Sequence, residues 1–227
     1  MLKGAPIFEQ LQLEEALLRT ESINFCIINQ GAPPAVVMGI SGKPEELLHT
    51  KRVKKTNIPV IKRFSGGGTV IIDHDTLLIT FIMGKKDVPI HAFPEPILQW
   101  SAKLYQESWK IPYFQLIEND YCIGHQKCGG NAQYIQKDRW LHHTSFLWDY
   151  SDTYMNLLKM PEKKPKYREN RSHVEFLTRL KDHAPNYHDL IESLVQQLSK
   201  RANIVNFNFK TWEEKPHRKS TEKIILY

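Results

Sequence analysis

Up to about residue 150 the chain is a succession of short apolar segments cut by glycine and proline. Residues 23–28 and 35–39 flank the turn Gln30-Gly31-Ala32-Pro33-Pro34, and residues 59–63, 69–72 and 77–82 stand around Ser65-Gly66-Gly67-Gly68. Residues 113–117, 121–123, 131–135 and 140–148 follow, the last two bracketing the polar turn Lys137-Asp138-Arg139. Such segments, separated by turn formers, read as strands, several of them joined as hairpins. Helical spacing is found in fewer places. Residues 8–19 gather Leu11, Leu13, Ala16, Leu17 and Leu18 near one face, and helices are expected at 44–53, after Pro96 within 92–110, at 174–180 and at 187–201. Residues 160–171, rich in Pro, Lys and Arg, read as a loop, and 204–209 as a last strand before a polar tail. Strands that outnumber helices and pair as hairpins predict an α+β domain with a mixed, mainly antiparallel sheet flanked by helices, not a doubly wound parallel sheet.

At 227 residues, 41% hydrophobic and 11% aromatic, the chain suffices for one domain with a sizeable core, taken as residues 1–227, and is not a disordered polymer. No apolar run approaches the ~18–20 residues of a membrane-spanning helix. The opening MLKGAPIFEQ lacks the apolar stretch of a signal peptide. Three cysteines, Cys26, Cys122 and Cys128, make no disulfide framework and favour a reducing cytosol. A formal net charge of +6 attracts polyanions: nucleic acid, nucleotide phosphates or an acidic protein.

Glycine takes positive φ readily and lets the backbone approach a ligand closely. Successive N–H groups in such a loop form an anion-binding nest. A β-bulge or tight turn accounts for Gly66, Gly67 and Gly68 as well, but Arg63 just ahead adds a guanidinium suited to clamping phosphate or carboxylate. The run is neither a P-loop nor a GxGxxG fingerprint. A second block, Asn119-Asp120 and then Lys127-Cys128-Gly129-Gly130-Asn131-Ala132-Gln133, sets a lysine in a glycine-rich hairpin. In a third, Arg139-Trp140-Leu141-His142-His143-Thr144, the two histidines alternate across a strand, so one alone faces a pocket. Cys122, His125 and Cys128 have C-x₂-H-x₂-C spacing, yet structural zinc draws on better-separated cysteine pairs. A small buried hydrophobe is the simpler account of Cys128.

In this order and spacing the blocks resemble the lipoate-protein ligase family, of the wider biotin/lipoate ligase group, over about residues 10–180. The family's Arg-x-Ser-Gly-Gly-Gly-small-Val loop is seen as Arg63 to Val70, its Asn-Asp and Lys-x-x-Gly-Asn-Ala-Gln elements as Asn119-Asp120 and Lys127 to Gln133, and its Leu-His-His-Thr-like strand as Leu141 to Thr144. The resemblance implies activation of lipoate by ATP and Mg²⁺ to lipoyl-AMP, then acylation of one lysine of a carrier domain. Carriers of this kind are the E2 subunits of 2-oxo-acid dehydrogenases and the glycine-cleavage H protein. It places Arg63, Ser65, Gly66, Gly67, Gly68, Thr69, Val70 and Ile71 against the adenylate and the lipoyl chain. Lys127 becomes the catalytic cation facing carboxylate and α-phosphate, and Asp120 and Asn131 join the nucleotide site. His143 and Gln133 are further candidates. No metal site is implied beyond the Mg²⁺ that ATP carries. A carboxylate attacking a phosphate brings two anions together, and a fixed ammonium with oriented N–H donors stabilises the charge that builds on the phosphoryl oxygens.

Lys62 stands where many members have a first arginine, keeping the charge without the bidentate fork. The chain ends soon after the resembling region, where some bacterial ligases continue into an accessory domain. Three routes therefore remain: unaided activation, activation with a partner, or transfer alone. Lipoyl or octanoyl transfer through a cysteine thioester is less expected, since residues 139–149 contain no cysteine. A basic nucleic-acid-binding module is the rival of another class, on the runs Lys51, Arg52, Lys54, Lys55, Lys62, Arg63 and Lys159, Lys163, Lys164, Lys166, Arg168, Arg171. No RNA- or DNA-binding motif accompanies them, so no nucleic-acid partner and no membrane are expected. The expected location is the cytoplasm, or an organelle in a eukaryote, although no transit peptide is visible.

Overall fold

A computed structural model describes residues 1–161, 164–206 and 217–226. The longest apolar run forms β6 (Thr76–Gly84), and its period of two lays out the fold. Leu77, Ile79 and Phe81 point to one face of the sheet, Leu78, Thr80 and Ile82 to the other. β6 lies inside a seven-stranded sheet ordered β1 (Leu2–Lys3), β2 (Phe25–Gln30), β6, β10 (Arg139–Leu147), β9 (Gln126–Ile135), β8 (Asp120–Ile123) and β7 (Phe114–Ile117). Every neighbouring pair is antiparallel except β1 with β2. The α+β architecture with a mixed, mainly antiparallel sheet is thus the one the segment pattern predicts.

One face carries α4 (Pro94–Trp109) and α7 (Tyr187–Ser199) over an aromatic core. There Phe146 meets Trp109 and Tyr105 at ring-centroid distances of 4.7 and 4.9 Å. Such edge-to-face contacts add about 0.5–1.5 kcal/mol each beyond area burial. The other face carries α1 (Ile7–Thr20). A second, four-stranded sheet covers α1 in turn: β11 (Glu222–Ile224), β4 (Val60–Lys62), β3 (Ala35–Met38) and β5 (Val70–Ile72). Ile7 and Leu11 of α1 pack with Leu78 of the large sheet and with Val37, Ile61 and Ile72 of the small one. Wedged between two sheets, α1 buries Gln10, Glu14 and Glu15 as well as its leucines.

Four expectations change. The helix expected at 44–53 is two, α2 (Pro44–Leu47) and α3 (Thr50–Thr56), because Leu48 pairs with Leu158 in a β-bridge and His49 N–H donates to Leu157 O at 2.9 Å. After α5 (Asp152–Met155), the helix expected at 174–180 stops as α6 (His173–Phe176). Leu177 bridges to Lys127 there, and Thr178 N–H donates to Lys127 O at 2.9 Å. The polar tail supplies β11, which pairs with β4, while Ser220 donates to buried Glu15. Residues 204–206 form no strand, and the rest of the strand expected at 204–209 lies outside the described residues.

Candidate active site

The glycine loop leaves β4 at Arg63, whose N–H donates to Met38 O at 2.9 Å. The Arg63 side chain turns into its own loop and is 4% exposed. Its Nε donates to Ser65 Oγ (3.1 Å) and its Nη2 to the carbonyls of Gly66 (2.7 Å) and Gly68 (3.0 Å). Gly67 has φ of +99°, and a Cβ there would lie 2.8 Å from Arg63 Nη2 and 3.3 Å from Ala132 Cβ. Only glycine passes so close to the guanidinium and β9. Burial lowers the Arg63 pKa to about 10, against the opposing pull of Glu14. Arg63 therefore braces the cradle from within; it does not stand free beside it as a clamp.

His143 connects this loop to α1. Its ring nitrogens lie 3.1 Å from Ser65 Oγ (Nε2) and 3.0 Å from Glu14 Oε2 (Nδ1). Glu14 is fully buried, and its Oε1 accepts from Gln10 Nε2 (2.8 Å) and Thr80 Oγ1 (2.6 Å). Serine, histidine and carboxylate in line have the order of a hydrolytic triad. Ser65, however, is fully buried and already accepts from Arg63, so its oxygen is no accessible nucleophile. His142, one residue earlier, faces the aromatic core, where its Nε2 lies 2.8 Å from Tyr121 Oη and 3.2 Å from Thr144 Oγ1. Burial first, and His143 second, lower its pKa to about 3.

Lys127 stands on β9, beyond the hairpin turn at Gly124. Between Tyr121–Gly129 and Cys122–Lys127 the register of β8 and β9 slips by one residue, a bulge. The bulge turns Cys128 and the bare face of Gly129 toward the aromatic core, and Lys127 and Gly130 the other way. A Cβ on Gly129 would meet Phe146 Cδ1 at 2.5 Å, and one on Gly130 would meet Lys127 Nζ at 3.2 Å. Lys127 Nζ pairs with Asp120 Oδ1 at 2.7 Å, and Tyr167 Oη donates to Asp120 Oδ2 at 2.9 Å. Burial, then Asp120, push the Tyr167 hydroxyl pKa well up, so it stays a donor.

Glycine loop and lysine meet on one stretch of β9. Gly67 touches it at Ala132, and the Lys127 ammonium lies beside Gly130. Gly130, Asn131 and Ala132 also line an apolar cleft of about 430 Å³, counted with its open mouth. Its apolar walls include Ile7, Leu11, Val37 and Leu78, and Arg63, Val70, Asn131 and His143 reach it. The other expected residues do not line it: Ser65, Gly66, Gly67, Gly68 and Thr69 of the loop, and Asp120, Lys127 and Gln133, stand outside its walls, and Ile71 turns to the other face of β5 and packs with Val36 and Met38. Gln133 Nε2 instead donates to Pro94 O at the start of α4 (3.0 Å). Asn131 Nδ2 ties β9 to Asn119 O at 2.6 Å, beside Asp120. Thr69 Oγ1 is buried without a hydrogen-bond partner among the described residues. Gln10, Glu14, Thr80 and Ile72 line the cleft unannounced by any motif.

None of the three thiols lines the cleft. Cys128 donates to Tyr121 O within the aromatic core, Cys122 lies under Tyr167 with its pKa raised to about 11 by burial, and burial raises Cys26 to about 12. Among the described residues, the ligand atoms of Cys122, His125 and Cys128 do not gather within coordination reach. Of the second basic run, Lys163 lies outside the described residues, and Arg168 and Arg171 fold inward onto backbone carbonyls. No helix among the described residues is long and apolar enough to cross a membrane.

Two sheets enclosing a helix form a fold this chain shares with solved lipoate-protein ligases. A bipartite lipoate protein ligase of Thermoplasma acidophilum, described with its E2 lipoyl domain, superposes at TM-score 0.78 with 18% identity, over 94% of this chain and 88% of that one. A lipoate-protein ligase A bound with ATP gives 0.78 at 17% identity, over 94% and 90%. The family model of the lipoyl protein ligase A/B catalytic domain matches residues 6–199, and the chain belongs to that family. A Plasmodium falciparum protein named inactive lipoate–protein ligase 2 is 31% identical over 88% of this chain and 68% of its own length. The Bacillus subtilis lipoate-protein ligase LplJ is 30% identical over 58% of this chain and 39% of its own.

Proposed function

We propose that the protein joins lipoate to a lysine of a lipoyl carrier domain through lipoyl-AMP, made from lipoate and ATP with its Mg²⁺. The observation that carries this reading is that the Gly66–Gly68 loop and the Lys127 ammonium approach β9 at Ala132 and Gly130, two residues that line the apolar cleft. The cleft receives the acyl chain. The loop amides and Lys127 neutralise the carboxylate and α-phosphate as they approach, and Asp120 holds the ammonium until the anions arrive. Carriers are the E2 lipoyl domain, the partner described with the Thermoplasma ligase, and the glycine-cleavage H protein.

A second reading is transfer from preformed lipoyl-AMP without activation; one relative is named an inactive ligase, so the activation step itself is what the experiment must test. Transfer through a thioester is disfavoured, since no cysteine lines the cleft. Lipoate-dependent exchange of radiolabelled pyrophosphate into ATP tests the first reading. Exchange in the wild type, lost in Lys127→Ala, supports it. No exchange, but carrier acylation from supplied lipoyl-AMP, supports the second. Neither activity in the full chain overturns both.

A further inference from the structure

One feature of the cleft belongs to no motif: the buried carboxylate of Glu14 on α1. Its contacts continue as an unbroken series of hydrogen bonds from α1 through β10 to the glycine loop. Glu14 Oε2 and His143 Nδ1 are 3.0 Å apart, His143 Nε2 and Ser65 Oγ 3.1 Å, and Ser65 Oγ and Arg63 Nε 3.1 Å. One chemical fact gives the series its direction. An ionised carboxylate accepts and never donates. Glu14 Oε2 therefore takes the proton on His143 Nδ1, which leaves Nε2 of the neutral ring bare to accept the Ser65 hydroxyl proton. Arg63 Nε–H donates to a lone pair of the same Ser65 Oγ. The other carboxylate oxygen takes Gln10 Nε2–H and Thr80 Oγ1–H. At the far end Arg63 Nη2 holds the carbonyls of Gly66 and Gly68.

We infer that Glu14 is a positioning residue: acting through His143, Ser65 and Arg63, it fixes the glycine loop in the shape that receives the acyl-adenylate. The inference rests on the proposed function for its ligand, but its geometry is independent of it. Both oxygens of the Glu14 carboxylate are engaged by protein groups, Gln10, Thr80 and His143. That carboxylate sets which ring nitrogen of His143 is bare, and that bare nitrogen orients the Ser65 hydroxyl and leaves its lone pair to the guanidinium. A neutral amide at position 14 can present N–H to His143 Nδ1 instead. That moves the ring proton to Nε2, and the Ser65 proton then loses its acceptor.

The closing experiment has one arm that needs no activity. In the ¹⁵N-histidine spectrum of the full-length wild type, with His143 assigned by its loss in His143→Gln, the expected tautomer carries its proton on Nδ1. An Nε2-protonated ring overturns the relay, whatever the protein catalyses. In Glu14→Gln the ring is expected to change tautomer, and the heteronuclear NOE of Gly66–Gly68 to fall. An unchanged NOE overturns the link from Glu14 to the loop. The second arm follows carrier acylation from supplied lipoyl-AMP. Glu14→Gln and Ser65→Ala are each expected to lower kcat about tenfold with carrier KM unchanged, and the double variant to lose no more than the worse single one. Multiplicative losses, about a hundredfold together, overturn the relay. A wild type inactive in acylation counts against the proposed function and leaves the spectral arm to decide the relay.

Discussion

Arg63 is 4% exposed and directs its Nε and Nη2 into its own loop, whereas Lys127 keeps 25% of its side chain in solvent and meets one carboxylate. The first cation is fixed by a buried network running through Ser65, His143 and Glu14 to α1. The second sits on a strand, under residues 164–182, whose Tyr167 grips the partnering Asp120. Under the proposed function, the difference separates two requirements of an adenylate site. A cradle for phosphate works best preorganised, since fixed dipoles need no rearrangement during reaction. A cation that follows charge from carboxylate to phosphate must leave one anion for another, which a partly exposed side chain on a flexible stem permits.

The contrast predicts different losses on truncation. Lys127→Ala is expected to lower carrier acylation by about 10²–10³, while urea unfolding shifts by about 1 kcal/mol, because the Asp120 carboxylate keeps the Tyr167 hydroxyl as a donor. Arg63→Ala is expected to lose activity and about 2–3 kcal/mol of stability together, because buried carbonyls and Ser65 lose a charged donor. Equal stability losses in the two variants would dissolve the distinction between a structural and a mobile cation.

The same contrast runs through adjacent glycines. Gly129→Ala drives a methyl to 2.5 Å from Phe146 in a packed aromatic core and should cost about 2 kcal/mol in urea unfolding. Gly130→Ala meets the movable end of Lys127 at 3.2 Å, so stability should hold within about 0.5 kcal/mol while acylation falls a few-fold as the ammonium shifts. Neighbouring histidines differ likewise. His142, its pKa lowered to about 3 in the folded chain, is neutral where the unfolded chain protonates. Its contribution is complete above pH ~6.5 and is lost as pH falls toward 3, with a slope of up to about 1.4 kcal/mol per pH unit. Urea titrations from pH 7 to pH 4 should be less steep in His142→Gln than in the wild type.

Local pattern reveals much of this molecule. Alternation along residues 77–82 gives β6 and its two faces, and the Lys127-Cys128 step separates an ammonium that meets Asp120 from a thiol in the core. The bulge at that step places Gly130 beside the ammonium, and no local rule announces it. Glu14 is invisible for a deeper reason. Leu13-Glu14-Glu15-Ala16 reads as an amphipathic helix turning its acids to water, yet Glu14 meets Thr80 of β6 and His143 of β10, and Glu15 meets Ser220 just ahead of β11, all distant in sequence. β11 is missed for the same cause: its three residues are strand only because β4 lies beside them. Periodicity reports one buried face, and a helix with two buried faces hides its polar contacts from it.

The smallest effect asks whether the two halves are independent. Tyr167→Phe removes the hydroxyl from Asp120 and leaves the ring against Phe176, where the centroids are 5.2 Å apart. Stability should fall by about 1 kcal/mol, as for one hydrogen bond to a charged acceptor that retains another partner. Combined with Asp120→Asn, the loss should be less than additive by a similar amount, because both changes cut one contact. Combined with Glu14→Gln it should be additive within about 0.5 kcal/mol, since the buried series from α1 shares no partner with the Asp120 clamp. Coupling between Tyr167 and Glu14 would mean that the cradle and the lysine clamp shift as one body, and the mobile-cation account of Lys127 would then give way to a concerted closure of the site.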